Sequence, residues 1–510
     1  MKKKSLLLAA FMAGALFCNA QQINPLTRAV INSYTEMISQ NPRDYMSYFQ
    51  RGSEYFNLGE YAKAEEDLLN AIKYTPAKET ADLDKEYTLL SDIYIQLGNN
   101  DKALEILQTA LSVEPNSYVN RYKLGNLFLA LDRPEDAYKT FQALQSLKSR
   151  SQEAYFGMGQ AAAKLGKTQE VEDLIDQIRN SDQNSYLTYL RMGILQEALG
   201  RNERAATDYI KAYTMTDNSS NPIEAIVNLA NKDYKAVANA LDNAISLAPR
   251  SANMRFIKAS LANVHGDFEA AIRECKELLK LEDGNSAFVY DLLAQSELFS
   301  GDITSATIDI NKAAEMDPDD LDVLQTRMMI LMTTDPATAA SVADKALSIN
   351  NSNPYVLMSA AKAYYMAKNA QKALDALNTA IMTDPTNVEA VVLRGEVNAN
   401  LLKNADQATA DYNRAGNIDA QNPYDLICKA IAKAKAGKVM DAESIIADLL
   451  KNNPDADTTY LIAAYYAQTG NLDKAKQLAD EAMSKGYNNI FNIQYLNAPL
   501  LNLQPIHDRF

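Results

Sequence analysis

Residues 48–76 read YFQRGSEYFNLGEYAKAEEDLLNAIKYTP, and apolar side chains recur in this stretch three and four positions apart. That spacing is typical of a helix. Gly59 divides the stretch into two helices, and Pro76 ends the second because proline cannot continue a helix. Gly52 and Ala64 are small enough to let the two helices pack closely. One such hairpin cannot bury its apolar faces alone, so the stretch predicts further copies of itself.

The copies follow with a period of 34 residues. Pro42 and Pro76 are one period apart, and so are Gly166 and Gly200. Alanines continue the register of Ala64 along the chain, within a residue or two, at Ala103, Ala137, Ala205, Ala271, Ala306, Ala373, Ala408, Ala442 and Ala475. This pattern resembles the tetratricopeptide repeat, in which aromatic-x-x-Leu-Gly-x-x-Tyr is followed by Ala-x-x-x-Phe, Ala and Pro.

The resemblance extends over nearly all of the chain, in about thirteen units that stay in phase. It implies an all-α fold, a right-handed superhelical solenoid of helix-turn-helix units. In such a solenoid each unit buries its core only against its neighbours, so a chain of 510 residues needs no division into ordinary globular domains.

How closely each segment matches the repeat pattern predicts how the chain is divided into parts. We expect a capping helix followed by two halves of the array, at residues 26–42, 45–218 and 252–484. The unit between the halves, residues 219–251, matches the pattern least well and follows a polar loop that ends in proline. We predict that this degenerate repeat is a hinge.

Two further segments depart from the period. Five additional residues lie within Thr75 to Asp84, and they predict a longer loop between the first two units. The tail, residues 485–510, leaves the pattern and ends in spaced apolar side chains. We expect it to cap the last helix pair, and the alternative is a docking peptide.

Residues 1–20 have the features of a secretory signal peptide: three lysines precede an apolar stretch too short to span a bilayer. Cleavage is expected before Gln21. A lipid anchor on Cys18 is the alternative, but lipoprotein signals have a small residue before the cysteine and Phe17 is bulky. We therefore expect an exported, periplasmic protein that does not insert into a membrane after cleavage.

The net charge and the reactive residues of the chain argue against several kinds of partner and active site. The formal net charge of −15 disfavours nucleic acid and anionic membranes as partners. Cys275 and Cys428 lie more than four repeats apart, so we expect two buried free thiols. His265 and His507 have no metal-ligand spacing around them, and no phosphate-binding loop or nucleophile elbow is present. We predict no enzymatic activity, no cofactor and no metal.

The resemblance implies a binding groove, because the first helix of each unit lines the concave side of such arrays. Positions 2, 5, 9, 12 and 13 of each unit face that side. They hold ten aromatic and methionine residues that we predict to bind a partner: Phe49, Phe56, Tyr122, Phe156, Phe256, Phe288, Phe299, Met332, Tyr365 and Met366. Tyr355 and Met358 share these positions. Such side chains suit extended or helical peptides, and the alternative is that they pack within the helix stack.

A subclass of the family binds terminal carboxylates through Lys and Asn at concave positions of the first units. Phe49, Ser53, Thr88 and Asp92 occupy those positions here, so this binding mode is not expected.

Three functions are consistent with these features. The preferred one is a non-catalytic protein-protein interaction scaffold of the bacterial cell envelope, with a protein or peptide partner in the groove. The alternatives are a periplasmic holdase or assembly factor and a regulatory subunit of a separate enzyme.

Overall fold

A computed structural model describes residues 25–147, 151–216 and 219–485 of the chain. The predicted signal peptide, Cys18 and the predicted cap from Gly486 onward lie outside these ranges. Within them the chain forms twenty-seven α-helices and no strand. No helix in the described ranges is long and apolar enough to cross a bilayer.

The first helix, α1, spans Pro25–Gln40 and packs against α2. The other helices form thirteen consecutive antiparallel pairs, which confirms the predicted number of units. The pairs are α2 Tyr45–Asn57 with α3 Tyr61–Tyr74, α4 Thr80–Gln96 with α5 Asn100–Val113, α6 Tyr118–Ala130 with α7 Pro134–Leu147, α8 Gln152–Lys164 with α9 Thr168–Ser181, α10 Tyr186–Ala198 with α11 Asn202–Thr214, α12 Asn221–Lys232 with α13 Tyr234–Leu247, α14 Ala252–Val264 with α15 Phe268–Leu278, α16 Ala287–Ser300 with α17 Ile303–Met316, α18 Leu321–Thr334 with α19 Pro336–Ile349, α20 Pro354–Met366 with α21 Ala370–Thr383, α22 Val388–Glu396 with α23 Ala405–Asn417, α24 Pro423–Lys435 with α25 Val439–Lys451, and α26 Ala456–Gln468 with α27 Leu472–Ser484.

The pairs divide into two compact units, with the boundary between Leu247 and Ala248. The first unit contains α1 to α13 and the second contains α14 to α27. The degenerate repeat, residues 219–251, ends beside this boundary. Hinge motion there stays a prediction.

Each of the two compact units has an apolar core in which a small residue on one helix meets a large side chain on a neighbouring helix. In the pair α6 and α7, the Phe141 ring is fully buried and lies against Gly125. Gly157 of the next first helix, α8, lies against the other side of the same ring. A Cβ atom on Gly125 or Gly157 would come within 2.6 or 2.5 Å of ring atoms. These two glycines are therefore required for close helix packing.

Most hairpins close with a left-handed residue. In the turn between α2 and α3, Gly59 has a φ of 74° and its N–H donates to the Phe56 carbonyl. Between α20 and α21, Lys368 takes the same conformation without being glycine. The pair α18 and α19 has a shorter turn without a glycine, in which only Asp335 separates the two helices. There Asp335 accepts a hydrogen bond from the Thr338 N–H, and Pro336 begins α19.

The prediction of a longer loop at residues 75–84 is wrong. The connection between α3 and α4 is short, and the additional residues extend α4 to 17 residues, where most first helices have 13. Thr75 donates its hydroxyl to Glu86 at 2.7 Å, which fixes the extended helix against the end of α3. The segment from Thr80 onward contains no helix-breaking residue, so nothing in its sequence opposes the extension of the helix.

Three helix pairs contain an ion pair between the seventh residue of the first helix and the seventh residue of the second. The nitrogen-to-oxygen distances are 2.7 Å for Arg51–Asp67, 3.1 Å for Lys258–Glu274 and 2.6 Å for Arg394–Asp411. The acid is buried in all three cases. Other pairs have apolar residues at this register, such as Met158 and Leu174. The ion pairs therefore replace apolar packing and specify how the two helices align.

Cys275 and Cys428 are buried free thiols, as predicted. Burial raises the pKa of both thiols above the ordinary value. Neither is therefore suited to nucleophilic chemistry.

Candidate functional site

In each of the two compact units, the first helices of successive pairs contact one another through side chains. In the first unit, the Gln152 amide donates to the Thr188 hydroxyl at 2.7 Å across α8 and α10. Tyr118 and Ser151 share a hydrogen bond of 2.7 Å just before α8. We call the surface formed by the first helices of one unit its first-helix face. This is the surface on which the sequence places the binding groove.

The second unit has the same arrangement. Ser296 of α16 donates to Asn263 of α14 at 2.9 Å. Further along, Lys362 of α20 lies 2.8 Å from Glu389 of α22, and the Asn400 amide donates to the Tyr365 hydroxyl at 3.0 Å. The first-helix face of this unit is therefore continuous from α14 to the π turn Val397–Leu401 that follows α22.

The ten predicted binding residues differ in burial. Phe256 and Met332 are buried, with 4% and 6% of their surface exposed. The other eight are half-buried: Phe49, Phe56, Tyr122, Phe156, Phe288, Phe299, Tyr365 and Met366. None of the ten is fully exposed, so a partner would reach edges of these side chains. Their role in binding stays a prediction.

The aromatic members pack against one another or against the core. Phe256 and Phe288 lie 5.1 Å apart between ring centroids and bring α14 and α16 together. Phe299 lies 5.6 Å from Phe268, which belongs to a second helix, α15. The Tyr122 ring lies 6.1 Å from the buried Phe141 ring. These aromatic side chains therefore contribute to the packing between helices.

The most accessible apolar part of the face lies on α20. Tyr355, Met358, Lys362, Tyr365 and Met366 recur at helical spacing and lie on one side of the helix. We call these five residues the α20 stripe. Tyr355 is 69% exposed, Met358 is buried, and the others are half-buried. The stripe thus offers one projecting aromatic ring beside a shallow apolar surface.

Exposed apolar residues recur at the second position of first helices. Met46 of α2 is 56% exposed and Val119 of α6 is 49% exposed, and Tyr355 occupies the same position in α20. Met46 and Val119 were not among the predicted binding residues. Both residues occupy position 2 of their repeat, which faces the concave side in the family. That position, together with their apolar side chains, could have identified both.

A buried carboxylic acid, Asp291, lies on this face. Asp291 of α16 accepts a hydrogen bond from the Gln295 amide at 2.8 Å, and its other oxygen has no hydrogen-bond partner. Burial raises the pKa of Asp291 to about 7, the neighbouring Thr326 hydroxyl opposes that rise, and the negative charge of Asp322 adds to it. Asp291 therefore carries a proton in the folded protein over a wider pH range than in the unfolded chain.

We expect Asp291→Asn to raise the stability of the second unit at pH 8 by roughly 2–4 kcal/mol and to leave it nearly unchanged at pH 4. The folded-state pKa lies above the unfolded value, so the wild-type aspartate stabilises below about pH 4 and loses this contribution as the pH rises through 7. Urea unfolding at the two pH values measures the difference. A change of equal size at both would contradict the assignment.

Within the described part of the chain, no group of three or more His, Cys, Asp or Glu side chains is placed to hold a metal ion. The arrangement on the first-helix faces consists of shallow apolar surface with paired charges and amide groups beside it. Such a surface can bind a polypeptide through side-chain contacts and backbone hydrogen bonds.

Sequence comparisons agree with this architecture. Three sequence models of the tetratricopeptide repeat match residues 47–78, residues 94–151 and 331–394, and residues 224–286 and 429–487. Together these matches include more than half of the chain.

Individual relatives are distant. The chain is similar to the tetratricopeptide repeat and J domain-containing co-chaperone DNJ1 of Fusarium oxysporum, at 23% identity over 49% of this chain and 44% of that protein. It is 20% identical to the TPR repeat-containing protein MJ1428 of Methanocaldococcus jannaschii, over 86% of this chain and 75% of that protein. The chain spans less than half the length of this co-chaperone.

Among solved structures, yeast Tom70 aligns with 90% of this chain and 96% of its own, with a TM-score of 0.38 and 14% identity. A tetratricopeptide repeat protein from Parabacteroides merdae aligns with 56% of this chain and 98% of its own, with a TM-score of 0.31 and 19% identity. The matches to the repeat models and the thirteen helix pairs identify this protein as a member of the tetratricopeptide repeat family.

Proposed function

We propose that this protein is a non-catalytic scaffold of the bacterial cell envelope that binds a polypeptide segment on the first-helix face of its second unit. The observation that carries the proposal is Tyr355. Its ring is 69% exposed on that face, beside the half-buried Tyr365 and Met366. Exposed aromatic rings next to shallow apolar surface are typical of protein-binding sites.

The polar groups around the α20 stripe favour a polypeptide as the ligand. Lys362 is paired with Glu389, so the charges beside the apolar surface are already neutralised within the protein. The Asn400 amide lies beside Tyr365, and its carbonyl oxygen can accept a hydrogen bond from a peptide backbone. An extended or helical segment with an apolar side chain over the stripe satisfies both features.

Tyr355→Ala is expected to weaken a bound peptide about 30-fold, which is the effect of losing about 2 kcal/mol at an aromatic anchor. The probe is a peptide selected from a random library on the wild-type protein, and its affinity is measured by fluorescence anisotropy. The melting temperature should not change, because the ring contributes little to the core.

Met382→Ala is the matched control, since Met382 is 79% exposed on α21, the second helix of the same pair. It should bind the peptide like the wild type. Equal affinity of the Tyr355→Ala and wild-type proteins, or a loss that occurs only in Met382→Ala, would contradict binding on the first-helix face.

The location in the cell envelope rests on the sequence of residues 1–20, with its three lysines and short apolar stretch. Mass spectrometry of the protein from its native cells should find Gln21 at the N-terminus. Acylated Cys18 at the N-terminus would instead place the protein on a membrane surface. An intact Met1 would refute export by this route.

A holdase is the second candidate, and the similarity to a protein named as a co-chaperone supports it. A holdase retains unfolded clients transiently, so it should suppress the aggregation of a chemically unfolded model protein. The Tyr355→Ala variant should lose part of this activity if clients use the α20 stripe. A protein that binds one defined peptide and leaves aggregation unchanged is a scaffold and not a holdase.

A further inference from the structure

The register that holds the three ion pairs also contains an arginine, Arg327, that has no acid at the matching position of its partner helix. Arg327 is the seventh residue of α18, as Arg51 is of α2 and Arg394 is of α22. The seventh residue of the partner helix α19 is Val342. The shorter turn between α18 and α19 does not alter this alignment, because Ala339 occupies in α19 the same fully buried fourth position that Ala64 occupies in α3.

Arg327 makes no hydrogen bond or ion pair within the described ranges. Its Nε atom is buried and has no hydrogen-bond partner. By contrast, Arg51 donates to both oxygens of Asp67, through Nε at 2.8 Å and Nη2 at 2.7 Å. A guanidinium that is partly withdrawn from water and lacks an acceptor is energetically costly. An acceptor supplied from outside the chain would remove that cost.

Arg327 opens into a cleft of about 260 Å³ between the second helices α17 and α19, which we call the Arg327 cleft. Thr338, Ser341 and Lys345 of α19 line it on one side. The Lys345 ammonium lies 3.0 Å from the carboxylate of Asp319, and both side chains are well exposed, so this pair is weak and exchangeable. The cleft therefore presents two cations and two hydroxyl-bearing residues.

The remaining walls of the Arg327 cleft are apolar. They are formed by Ala314, Pro318, Leu324 and Val342. A ligand that fits both parts needs an acidic head for the cations and a short aliphatic stem for the apolar walls. A bare inorganic anion would leave the apolar walls without a contact.

We propose that the Arg327 cleft binds a carboxylate on an aliphatic stem, such as the side chain of a glutamate in a partner polypeptide. The carboxylate supplies Arg327 with the acceptor that Asp67 supplies to Arg51. Arg is the side chain best suited to this, because its planar fork donates two parallel hydrogen bonds to one carboxylate. This site lies between second helices and is separate from the α20 stripe, so it is an additional site and does not depend on the proposed function.

Lys429 of α24 provides an internal comparison. It is also a seventh residue, and its counterpart in α25 is the apolar Ile445. A lysine ammonium on a flexible stem can turn to water, whereas the buried Nε of Arg327 cannot. Removing the Lys429 charge therefore serves as a matched control for removing a cation at this register.

The test is a titration of the full-length protein, labelled with ¹⁵N-arginine, with sodium propionate at constant ionic strength. The Arg327 Nε–H signal is assigned by its loss in Arg327→Lys. We expect it to shift saturably with propionate and not with propionamide, which has the same shape without the charge. Val342→Asp should weaken the response about tenfold or more, because an internal carboxylate then occupies the site. Lys429→Gln should respond like the wild type.

Each outcome has a defined meaning. A shift that is linear with propionate, or that persists unchanged in Val342→Asp, would overturn the site. Saturable binding of inorganic phosphate without binding of propionate would overturn the carboxylate assignment. Weaker binding of phosphate than of propionate is expected, because phosphate has no aliphatic stem to contact Leu324 and Val342. Circular dichroism confirms that Val342→Asp is folded before its titration is compared with that of the wild type.

Discussion

Phe141→Ala is expected to destabilise the first unit by about 3–5 kcal/mol, the usual cost of removing a fully buried aromatic ring. The Phe141 ring fills the space left by Gly125 and Gly157, which lie in two successive first helices. Its removal opens a cavity at the junction of two repeats, and the backbones on either side cannot close it without moving both helices. Urea unfolding followed by far-ultraviolet circular dichroism measures the loss.

Val119→Ala is the control for this prediction, since Val119 is half exposed on α6 and should change stability by less than about 0.5 kcal/mol. A double-mutant cycle makes the test sharper. Gly157→Ala should destabilise the wild-type protein, because its Cβ meets the ring, and should be nearly neutral in the Phe141→Ala background. Additive effects of the two substitutions would contradict the packing described for this junction.

Asp411→Ala is expected to destabilise the second unit by about 3–5 kcal/mol, the cost of breaking a buried ion pair on one side. Asp411 is buried and accepts hydrogen bonds from Arg394 Nη2 at 2.6 Å and from the Asn398 amide at 3.0 Å. Its removal leaves the Nε and Nη2 groups of a largely buried guanidinium, and the Asn398 amide, without acceptors. Urea unfolding of the variant at pH 7 measures this loss.

The companion variant combines Arg394→Met with Asp411→Leu. These are the residue types that the chain itself has at the same register in α8 and α9, namely Met158 and Leu174. The double variant should recover most of the lost stability, because apolar residues often replace a buried ion pair at little cost. A double variant as unstable as Asp411→Ala would show that the ion pair does more than fill this register.

Sequence patterns were sufficient for the helix pairs, because each pair repeats the same small and large residues at a constant spacing. They were insufficient at residues 75–84, where additional length was interpreted as a loop. Nothing in the period distinguishes an inserted loop from a helix that begins one turn early. The contact between Thr75 and Glu86, which is formed only after folding, decides between them.

The predicted site residues show a different limit. Phe49 and Phe256 are both the fifth residue of a first helix, yet Phe49 is half-buried and Phe256 is buried. The difference arises because the Phe288 ring of the next first helix covers Phe256. Position within the repeat thus predicts the face on which a side chain lies. The side chains of the neighbouring repeat determine how much of it remains accessible.

The Arg327 cleft could not be anticipated from the period for a related reason. A cation at the seventh position of a first helix is unremarkable when an acid faces it, as in Arg51 with Asp67. At Arg327 the acid is missing, because Val342 takes its position in α19. This is recognised only when α18 and α19 are aligned across a turn that lacks its glycine. Helix bounds and burial supply that alignment.

Site-specific photo-crosslinking tests the central claim, binding on the first-helix face of the second unit, most directly. A photoreactive phenylalanine analogue is placed at Tyr355 or at Met382, which are both well exposed on the same helix pair. After irradiation in the native cells, the variant with the probe at position 355 should form a discrete adduct with a polypeptide. The variant with the probe at position 382 should not. An adduct at position 382 alone, or adducts of equal yield at both positions, would contradict the account.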